Sequence, residues 1–200
     1  MKRPWVIAHR GASSDFPENS SGAFEAAIQQ GADAAETDVR LTLDGVAILS
    51  HDDDLERLTG LSGRVSAQSV LQLRELKLRV KSPQNPLSQP NRSSEFFLLL
   101  DEALQRFPDL PFFLEMKDDF HAIADRRRLL VEQTVRSARQ TGGVSPMLLS
   151  FSDDLLNWAG EMAPEFLRGR NMIEPQIYDY DFLSCAIDTI TGDFVQASHA

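Results

Sequence analysis

The sequence predicts an α/β protein built around a parallel sheet, and three observations support this class. Short apolar runs typical of strands alternate with longer stretches in which apolar residues recur at helical spacing. Several of the apolar runs end in charged or imidazole side chains, which would gather at one edge of such a sheet. The length of 200 residues, with 42% hydrophobic and 25% charged residues, is ordinary for one globular domain. We therefore expect residues 1–200 to form a single domain.

The first strand and helix follow one another over about thirty residues. Residues 5–8 are continuously apolar, which predicts a strand buried on both faces, and they deliver His9 and Arg10 to its end. A loop and a stretch with helical spacing follow, and Gly31 is suited to end that helix.

The second and third strands carry the next group of polar side chains. Glu36 and Asp38 stand two residues apart in the predicted strand 34–41, so both point to the same side of the sheet. Two carboxylates on one side repel each other unless something neutralises them. A third strand at 46–49 ends at His51, and the short link between the two strands favours an antiparallel hairpin.

The remaining elements follow from the same periodicities. Glu115 and Lys117 lie two apart at the end of one later strand and therefore share a face. In chain order the sequence first predicts a helix begun at Ser66 or Ser69, a surface loop over 82–94, a helix over 96–107 and a strand over 111–117. A helix over 121–141 follows, with Ile123, Leu130, Val131 and Val135 buried. The last predicted elements are a strand over 147–151, a helix capped by Ser152, a strand over 166–172, a short helical segment over 181–187 and a strand over 193–197.

Charge and composition exclude several classes of function. The net charge of −10 and a pI of about 4.8 argue against nucleic acid and anionic membrane surfaces, which select basic patches. No stretch approaches the ~20 apolar residues of a membrane span, and the N-terminus lacks the apolar core of a signal peptide. Cys185 is the single cysteine, so no intrachain disulfide forms. We therefore expect a cytoplasmic protein.

Three carboxylates on two predicted strands indicate a metal site. Glu36, Asp38 and Glu115 offer hard oxygen donors, which suit Mg²⁺ or Ca²⁺ better than zinc. From spacing alone, a solvated sheet edge or an ion pair between Asp38 and Arg40 is the commoner arrangement. A divalent cation is the alternative that also removes the repulsion between the acids.

Two histidines and two cations complete the candidate site. His9 and His51 both end apolar runs, and imidazoles near neutral pKa suit a general base and a general acid. Arg10 and Lys117 would bind the non-bridging oxygens of a phosphate. A surface ion pair is the competing role, for Lys117 in particular.

Around these candidate site residues, the chain resembles the glycerophosphodiester phosphodiesterase family. The similarity extends over roughly 150 residues, far more than a single short motif. It comprises His9-Arg10-Gly11-Ala12, Pro17-Glu18-Asn19-Ser20, Gly31-Ala32-Asp33 to Glu36-Thr37-Asp38, Thr42 to Gly45, His51-Asp52 to Leu55, Arg57 and Thr59, Glu115-Met116-Lys117 and, less specifically, Ser150-Phe151.

The resemblance implies a fold and an activity. The fold is a TIM (β/α)8 barrel, whose active sites lie at the carboxyl ends of the strands. The residues matching Glu36, Asp38 and Glu115 would hold a divalent cation, and those matching His9 and His51 would act as acid and base. The reaction would be hydrolysis of a small glycerophosphodiester to glycerol 3-phosphate and an alcohol, a step of lipid and glycerol metabolism.

The chain departs from that family at its C-terminal end. The sequence yields seven candidate strands where the barrel needs eight, so we expect a barrel truncated before its eighth strand. The missing strand has three explanations: the sequence is a fragment, a partner chain or second copy closes the barrel, or the fold is smaller. The resemblance also makes strand 46–49 a barrel strand and not half of a hairpin. A related phosphodiesterase acting on lysophospholipids or sphingomyelin-type lipids, and a non-catalytic metal-binding barrel, are the alternative functions.

Overall fold

The computed structural model describes residues 3–79, 92–119, 122–172 and 182–185, and the elements below belong to these ranges. The strands are β1 (Ile7–His9), β2 (Ala34–Leu41), β3 (Ala47–Leu49), β4 (Lys77–Arg79), β5 (Arg92–Phe96), β6 (Phe112–Met116), β7 (Met147–Ser150), β8 (Arg168–Met172) and β9 (Phe182–Cys185). The helices are α1 (Ser21–Gln29), α2 (Glu56–Thr59), α3 (Val70–Leu73), α4 (Leu100–Arg106), α5 (Ala124–Gln140) and α6 (Asp153–Met162), with a 3-10 turn at Val65–Ala67.

One curled parallel sheet organises the described part of the chain. Its strands lie in the order β1-β2-β6-β7-β8-β9, and every neighbouring pair along this path is parallel. Helix α5 connects β6 to β7 and helix α6 connects β7 to β8, which is the repeating unit of an α/β barrel wall. The predicted α/β barrel class is therefore confirmed. The strand predicted over 193–197 lies outside the described residues.

The apolar core lies between this sheet and its helices. Phe24 of α1 packs edge to face on Phe112 of β6, with ring centroids 5.2 Å apart. Leu114 of β6 and Leu155 of α6 are fully buried in the same cluster. Each such side chain contributes about 1.5–3 kcal/mol through the surface it removes from water. This packing fixes the strands whose ends carry the candidate site.

The third strand forms a hairpin, so its expected place as a parallel barrel strand is wrong. β3 runs antiparallel to β2, with Val39 opposite Leu49. The amide of Thr42 donates to the carbonyl oxygen of Val46 at 3.0 Å, and Gly45 adopts a φ of 76° in the turn. A parallel pairing needs a crossover of about a dozen residues, which the link between these strands does not provide.

The first strand is exposed, contrary to the expectation of burial on both faces. The side chains of Trp5 and Val6 are each 56% exposed, and Ile7 is 42% exposed. Within the described residues β1 pairs only with β2, so it forms an edge of the sheet. An apolar run indicates a preference for burial, but burial of a strand also requires other elements packed on both sides of it.

Several shorter predictions are also corrected. The segment 96–99 is not helical, because β5 ends at Phe96 and α4 begins at Leu100. Residues 92–94, expected in a loop, belong to β5. The helix expected over 181–187 is wrong, because Phe182–Cys185 pairs as a parallel strand with β8. Pairing with a neighbouring strand overrides a weak local preference for helix.

Two details of the helices also differ from expectation. Ile123, expected in the buried stripe of α5, is the residue before that helix and is 72% exposed. Ser152 occupies the N-cap position of α6 but makes no capping hydrogen bond with its side chain. None of the helices in the described ranges has the length and apolar character to cross a bilayer.

Candidate active site

The register of three strands brings the candidate residues together. His9 of β1 is directly opposite Glu36 of β2, and Asp38 of β2 is directly opposite Glu115 of β6. Because these strands are parallel, their carboxyl ends meet at one edge of the sheet. The backbone amide of Lys117 then donates to the carbonyl oxygen of Val39 at 3.0 Å, which carries its side chain to the same edge.

The three carboxylates form a compact, buried cluster. One oxygen from each of Glu36, Asp38 and Glu115 lies within 4.8 Å of the others. Their exposed fractions are 9%, 0% and 6%. Charges this close and this dry cannot all persist without neighbouring cations.

Two cations compensate part of this charge. Lys117 Nζ lies 2.9 Å from Asp38 Oδ1 and also donates to Glu115, while Arg10 Nε lies 3.0 Å from Asp38 Oδ2. Both oxygens of Glu36 are buried and accept no hydrogen bond from the described residues. The cluster therefore holds one more carboxylate than cations, and that carboxylate is Glu36.

The pKa values of the three acids reflect this arrangement. Burial, reinforced by the charges of Asp38 and Glu115, raises the pKa of Glu36 well above its ordinary value. Burial also raises the pKa of Glu115, although Lys117 opposes the shift. Burial acts in the same direction on Asp38, but Lys117 and Arg10 outweigh it, and the pKa of Asp38 lies below its ordinary value.

The loop after β1 holds Arg10 and introduces Asn19, which sequence reasoning did not assign to the site. Arg10 and Asn19 adopt left-handed backbone conformations, with φ of 61° and 57°. The side-chain amide of Asn19 donates to Asp38 Oδ2 at 2.9 Å and accepts from the hydroxyl of Thr37 at 2.8 Å. Left-handed residues other than glycine cost about 1–3 kcal/mol and cluster at functional sites. Asn19 thus fixes the orientation of the Asp38 carboxylate.

A chain of hydrogen bonds holds His51. Its Nδ1 lies 2.7 Å from Asp52 Oδ1, and the other oxygen of Asp52 accepts from Arg57 Nε at 2.5 Å. Arg57 also donates through both terminal nitrogens to the carboxylate of Glu18, at 2.7 Å each. Arg10 Nη1 lies 3.3 Å from the same carboxylate. Glu18 and Arg57 therefore connect the loop after β1 to the loop that carries His51.

Sequence reasoning did not assign a role to this pair. Both residues stood within the family motifs, but only the structure shows that they contact each other, because 39 residues separate them along the chain. Burial is the largest single influence on the pKa of Glu18 and raises it, but Arg57 and Arg10 together outweigh burial, so this pKa lies below its ordinary value. Burial also raises the pKa of Asp52, but Arg57 and His51 together outweigh burial, so this pKa too lies below its ordinary value.

His9 lies at the exposed side of the site. Its side chain is 67% exposed, and its Nε2 lies 3.7 Å from Glu36 Oε2. Partial burial and the charge of Arg10 lower the pKa of His9, against the opposing effect of Asp38. A neutral imidazole facing solvent is able to accept a proton from a bound hydroxyl.

Arg40 is not the partner of Asp38 that the spacing-based alternative required. Its Nε donates to the backbone carbonyl oxygen of His51 at 2.9 Å. The side chain of Lys117 is 13% exposed, so its ion pairs with Asp38 and Glu115 are not surface pairs. The structure therefore brings all seven candidate residues to one edge, with the acids and cations mostly buried.

The candidate residues lie within a stretch of the chain that matches a known protein family. The model of the glycerophosphoryl diester phosphodiesterase family matches residues 9–176. A probable glycerophosphodiester phosphodiesterase 1 of Mycobacterium tuberculosis is 47% identical over 74 residues, which are 37% of this chain and 27% of that protein. A lysophospholipase D of Mus musculus is 35% identical over 113 residues, or 56% of this chain and 34% of that protein. The matched stretches thus span about a third or less of these relatives.

Solved structures agree on the fold over a larger share of the chain. A phosphodiesterase of Oleispira antarctica, in complex with the product sn-glycerol-3-phosphate, superposes with a TM-score of 0.79 at 26% identity, covering 94% of this chain and 77% of that one. A glycerophosphodiester phosphodiesterase of Agrobacterium tumefaciens gives 0.68 at 26% identity, covering 84% and 67%. The family match over most of the chain, together with this agreement in fold, shows that the chain belongs to the glycerophosphoryl diester phosphodiesterase family.

Proposed function

We propose that this protein hydrolyses glycerophosphodiesters to glycerol 3-phosphate and an alcohol, with a divalent cation as cofactor. The observation that carries the proposal is the buried cluster of Glu36, Asp38 and Glu115 with Arg10 and Lys117 directly beside it. Family membership supports the reaction class, and the related Oleispira enzyme holds sn-glycerol-3-phosphate as its product.

Glu36, Asp38 and Glu115 would hold the cation. The fit rests on Glu36, whose two buried oxygens accept no hydrogen bond from the described residues and whose charge no cation offsets fully. Carboxylate oxygens are the donors that Mg²⁺ and Ca²⁺ prefer. When bound, such an ion polarises the phosphate and makes a nearby hydroxyl more acidic.

The chain's own cations would bind the phosphate diester. Arg10 and Lys117 are mostly buried, with side chains 16% and 13% exposed, and each already contacts Asp38. Their charge would offset the negative charge that grows on the non-bridging oxygens in the transition state. The Glu18 carboxylate, held by Arg57, limits the movement of Arg10.

The two histidines would transfer the protons. The adjacent glycerol hydroxyl attacks phosphorus and gives its proton to His9, while the bond to the leaving alcohol breaks and that alcohol takes a proton from His51. Water then opens the resulting cyclic phosphate, with the two roles reversed. The contact of Nδ1 with Asp52 leaves Nε2 of His51 for this transfer.

A second candidate function is hydrolysis of lysophospholipids to lysophosphatidate and an alcohol. It is favoured by the similarity to the mouse lysophospholipase D and by two exposed aromatic residues that follow β1 and β7, Phe16 at 37% and Phe151 at 43% exposure. Such side chains could contact an acyl chain at the mouth of the site. Release of lysophosphatidate faster than glycerol 3-phosphate would identify this activity.

The test measures glycerol 3-phosphate released from glycerophosphocholine by the 200-residue chain. We expect turnover with Mg²⁺ or Ca²⁺, loss with EDTA, and a decrease of at least about 10²-fold in both His9→Ala and His51→Ala. His199→Ala, which lies outside the described residues and the family motifs, is the matched histidine control.

Three results would contradict the proposal in different ways. Activity that survives in both histidine variants would contradict the acid–base roles. Activity that resists EDTA would contradict the role of the cation. Metal binding without turnover of any diester would instead support the non-catalytic barrel.

A further inference from the structure

A second cationic site adjoins the candidate active site. A small open cleft of about 30 Å³, room for a group the size of a carboxylate, lies beside it, and Lys117 borders both. Arg40 of β2 and Arg126 of α5 line the same cleft. Lys117, proposed above to bind phosphate, therefore also borders a space that no step of the proposed reaction uses.

Two of the three guanidinium groups that line this cleft, those of Arg40 and Arg126, have unused donors. Arg40 donates one hydrogen bond, from Nε to the carbonyl oxygen of His51, so its two terminal nitrogens bond to nothing in the described part of the chain. Arg126 donates only from Nη2, to the carbonyl oxygens of Leu41 and Thr42. A guanidinium has five N–H groups in a planar fork that matches a carboxylate or phosphate. Both side chains are half-buried, so their charges are not fully hydrated.

The acids that border the cleft do not offset this charge fully. Asp53 accepts hydrogen bonds from both the amide and the hydroxyl of Ser66 and lies 3.2 Å from Arg64. Asp119 is the other carboxylate in the lining. Of the four cationic side chains there, Lys117 and Arg127 have carboxylate partners, whereas Arg40 and Arg126 form no ion pair with the described residues. A concentration of cations in a chain of net charge −10 points to an anionic ligand.

The position of Arg40 on β2 suits an anionic group on the leaving alcohol. Arg40 stands two residues beyond Asp38 on the same face of β2, a rise of about 6.6 Å along the strand. A phosphate bound by Arg10 and Lys117 would lie beside Asp38, so an anionic group on its leaving alcohol would extend towards Arg40. The glycerol half, by contrast, must place its attacking hydroxyl near His9.

We propose that this cleft selects glycerophosphodiesters whose leaving alcohol carries a carboxylate or a second phosphate, and that Arg40 is the specificity-determining residue. This inference rests on the proposed diesterase function. It goes beyond it in naming the class of alcohol, which the catalytic residues do not determine.

The test compares two substrates that differ only in the anionic group. Glycerophosphoserine and glycerophosphoethanolamine share the ammonium group and differ by one carboxylate. Glycerophosphoinositol phosphate and glycerophosphoinositol form the corresponding pair for a second phosphate. We expect kcat/KM to favour the anionic member by at least about tenfold, the size of one charge-assisted bidentate contact. The pair that shows the preference identifies the ligand.

Variants then assign the preference to Arg40. Arg40→Gln should remove most of the ratio between the paired substrates, and Arg40→Lys, which keeps the charge, should retain part of it. Arg128→Gln is the charge-matched control, because that side chain is 50% exposed on α5 and pairs with Glu132. An unchanged ratio in Arg40→Gln overturns the proposal. An equal loss on both substrates also overturns it, since it would show that Arg40 acts only through its bond to His51.

A binding measurement separates this proposal from the diesterase function. Calorimetry compares O-phosphoserine with phosphoethanolamine on the metal-loaded chain, without requiring turnover. Tighter binding of phosphoserine that depends on Arg40 supports the cleft even if no diester is hydrolysed. Equal affinity of the two compounds contradicts it, whereas failure of the diesterase function appears as absence of glycerol 3-phosphate from every substrate.

Discussion

Strands β1 and β2 are neighbours and both end in residues of the candidate site, but they are built differently. Seven of the eight residues of β2 are buried, whereas β1 has three residues with only the middle one partly covered. β2 pairs with β1, β6 and β3, while β1 pairs with β2 alone among the described strands. Two of the three clustered carboxylates, Glu36 and Asp38, therefore stand on a strand paired on both sides, and His9 stands on an edge.

This difference divides the chemistry between a rigid part and a more accessible part. The acids and their cations must remain dry and close, because screening by water would weaken their interactions. A histidine that exchanges protons with substrate and solvent has to be reached from outside. Substitutions in the two parts should therefore differ in the size of their effects.

The largest contrast is expected within β2, between Asp38→Asn and Glu36→Gln. Asp38→Asn leaves Arg10 and Lys117 beside a neutral group, which should lower the free energy of unfolding by about 3 kcal/mol or more. Glu36→Gln removes a buried carboxylate that accepts no hydrogen bond from described residues, so in EDTA this variant should be at least as stable as wild type. Both variants should lose divalent-cation binding and activity.

The measurement is urea denaturation in EDTA, with calorimetry of Mg²⁺ and Ca²⁺ binding. Because the folded-state pKa of Glu36 is raised, the folded state binds an extra proton, and wild-type stability should fall as pH rises above about 4.3. Glu36→Gln should lack this part of the pH dependence. Equal destabilisation by both variants would contradict the distinct environments of the two acids.

A second comparison sets an apolar residue of β2 against one of β1. Leu41→Ala should cost about 2–4 kcal/mol, because Leu41 is 6% exposed within the main core. Ile7→Ala should cost about 1 kcal/mol, because Ile7 is already 42% exposed. Thermal and urea unfolding measure both. A cost for Ile7→Ala equal to that for Leu41→Ala would show that β1 is covered in solution.

The same contrast explains how much the sequence predicted. The acids of β2 were predictable because a strand alternates its faces strictly, so Glu36 and Asp38 had to share one side. The exposure of residues 5–8 was not predictable, because an apolar run does not state whether a second strand pairs with it. The hairpin of β3 followed from the short link to β2, and the family resemblance was the weaker guide there.

Contacts between distant parts of the chain set the remaining limit. Arg57 and Glu18 lie within the family motifs, but the sequence alone assigns them no role, because a salt bridge across 39 residues has no local signature. Asn19 likewise required the left-handed turn that aims its amide at Asp38. The site residues at strand ends were therefore inferable, and those that orient them were not.

Arg57 provides the third prediction, because it ties the loop after β1 to the loop that carries His51. Arg57→Ala should lower kcat by about 10- to 100-fold, as expected when the group that orients a catalytic side chain is lost. Arg57→Lys should recover part of the rate, since it keeps the charge but not the fork on Glu18. Arg64→Ala, with a side chain 71% exposed and paired with Asp53, is the control.

Steady-state kinetics and thermal unfolding of the same samples separate orientation from stability. A loss of folded protein with an unchanged kcat per folded molecule would show that Arg57 is only structural. A lower kcat in a fully folded variant would support its role in positioning His51.

The smallest effect is expected at Asp33, which anchors the start of β1. Its carboxylate accepts from Arg3, at 2.5 and 2.6 Å, and from the amide of Val6 at 2.8 Å. The hydrogen bond from Arg3, then that from Val6, lowers the folded-state pKa of Asp33. The stabilisation is therefore complete above the unfolded pKa of about 3.9 and disappears as pH falls through the lower folded value. Asp33→Asn should lower Tm slightly at pH 7, and this difference should shrink below about pH 4 and in 1 M salt. Asp109→Asn, another exposed acid, is the control, and a difference that grows in acid would contradict this attachment of β1 to β2.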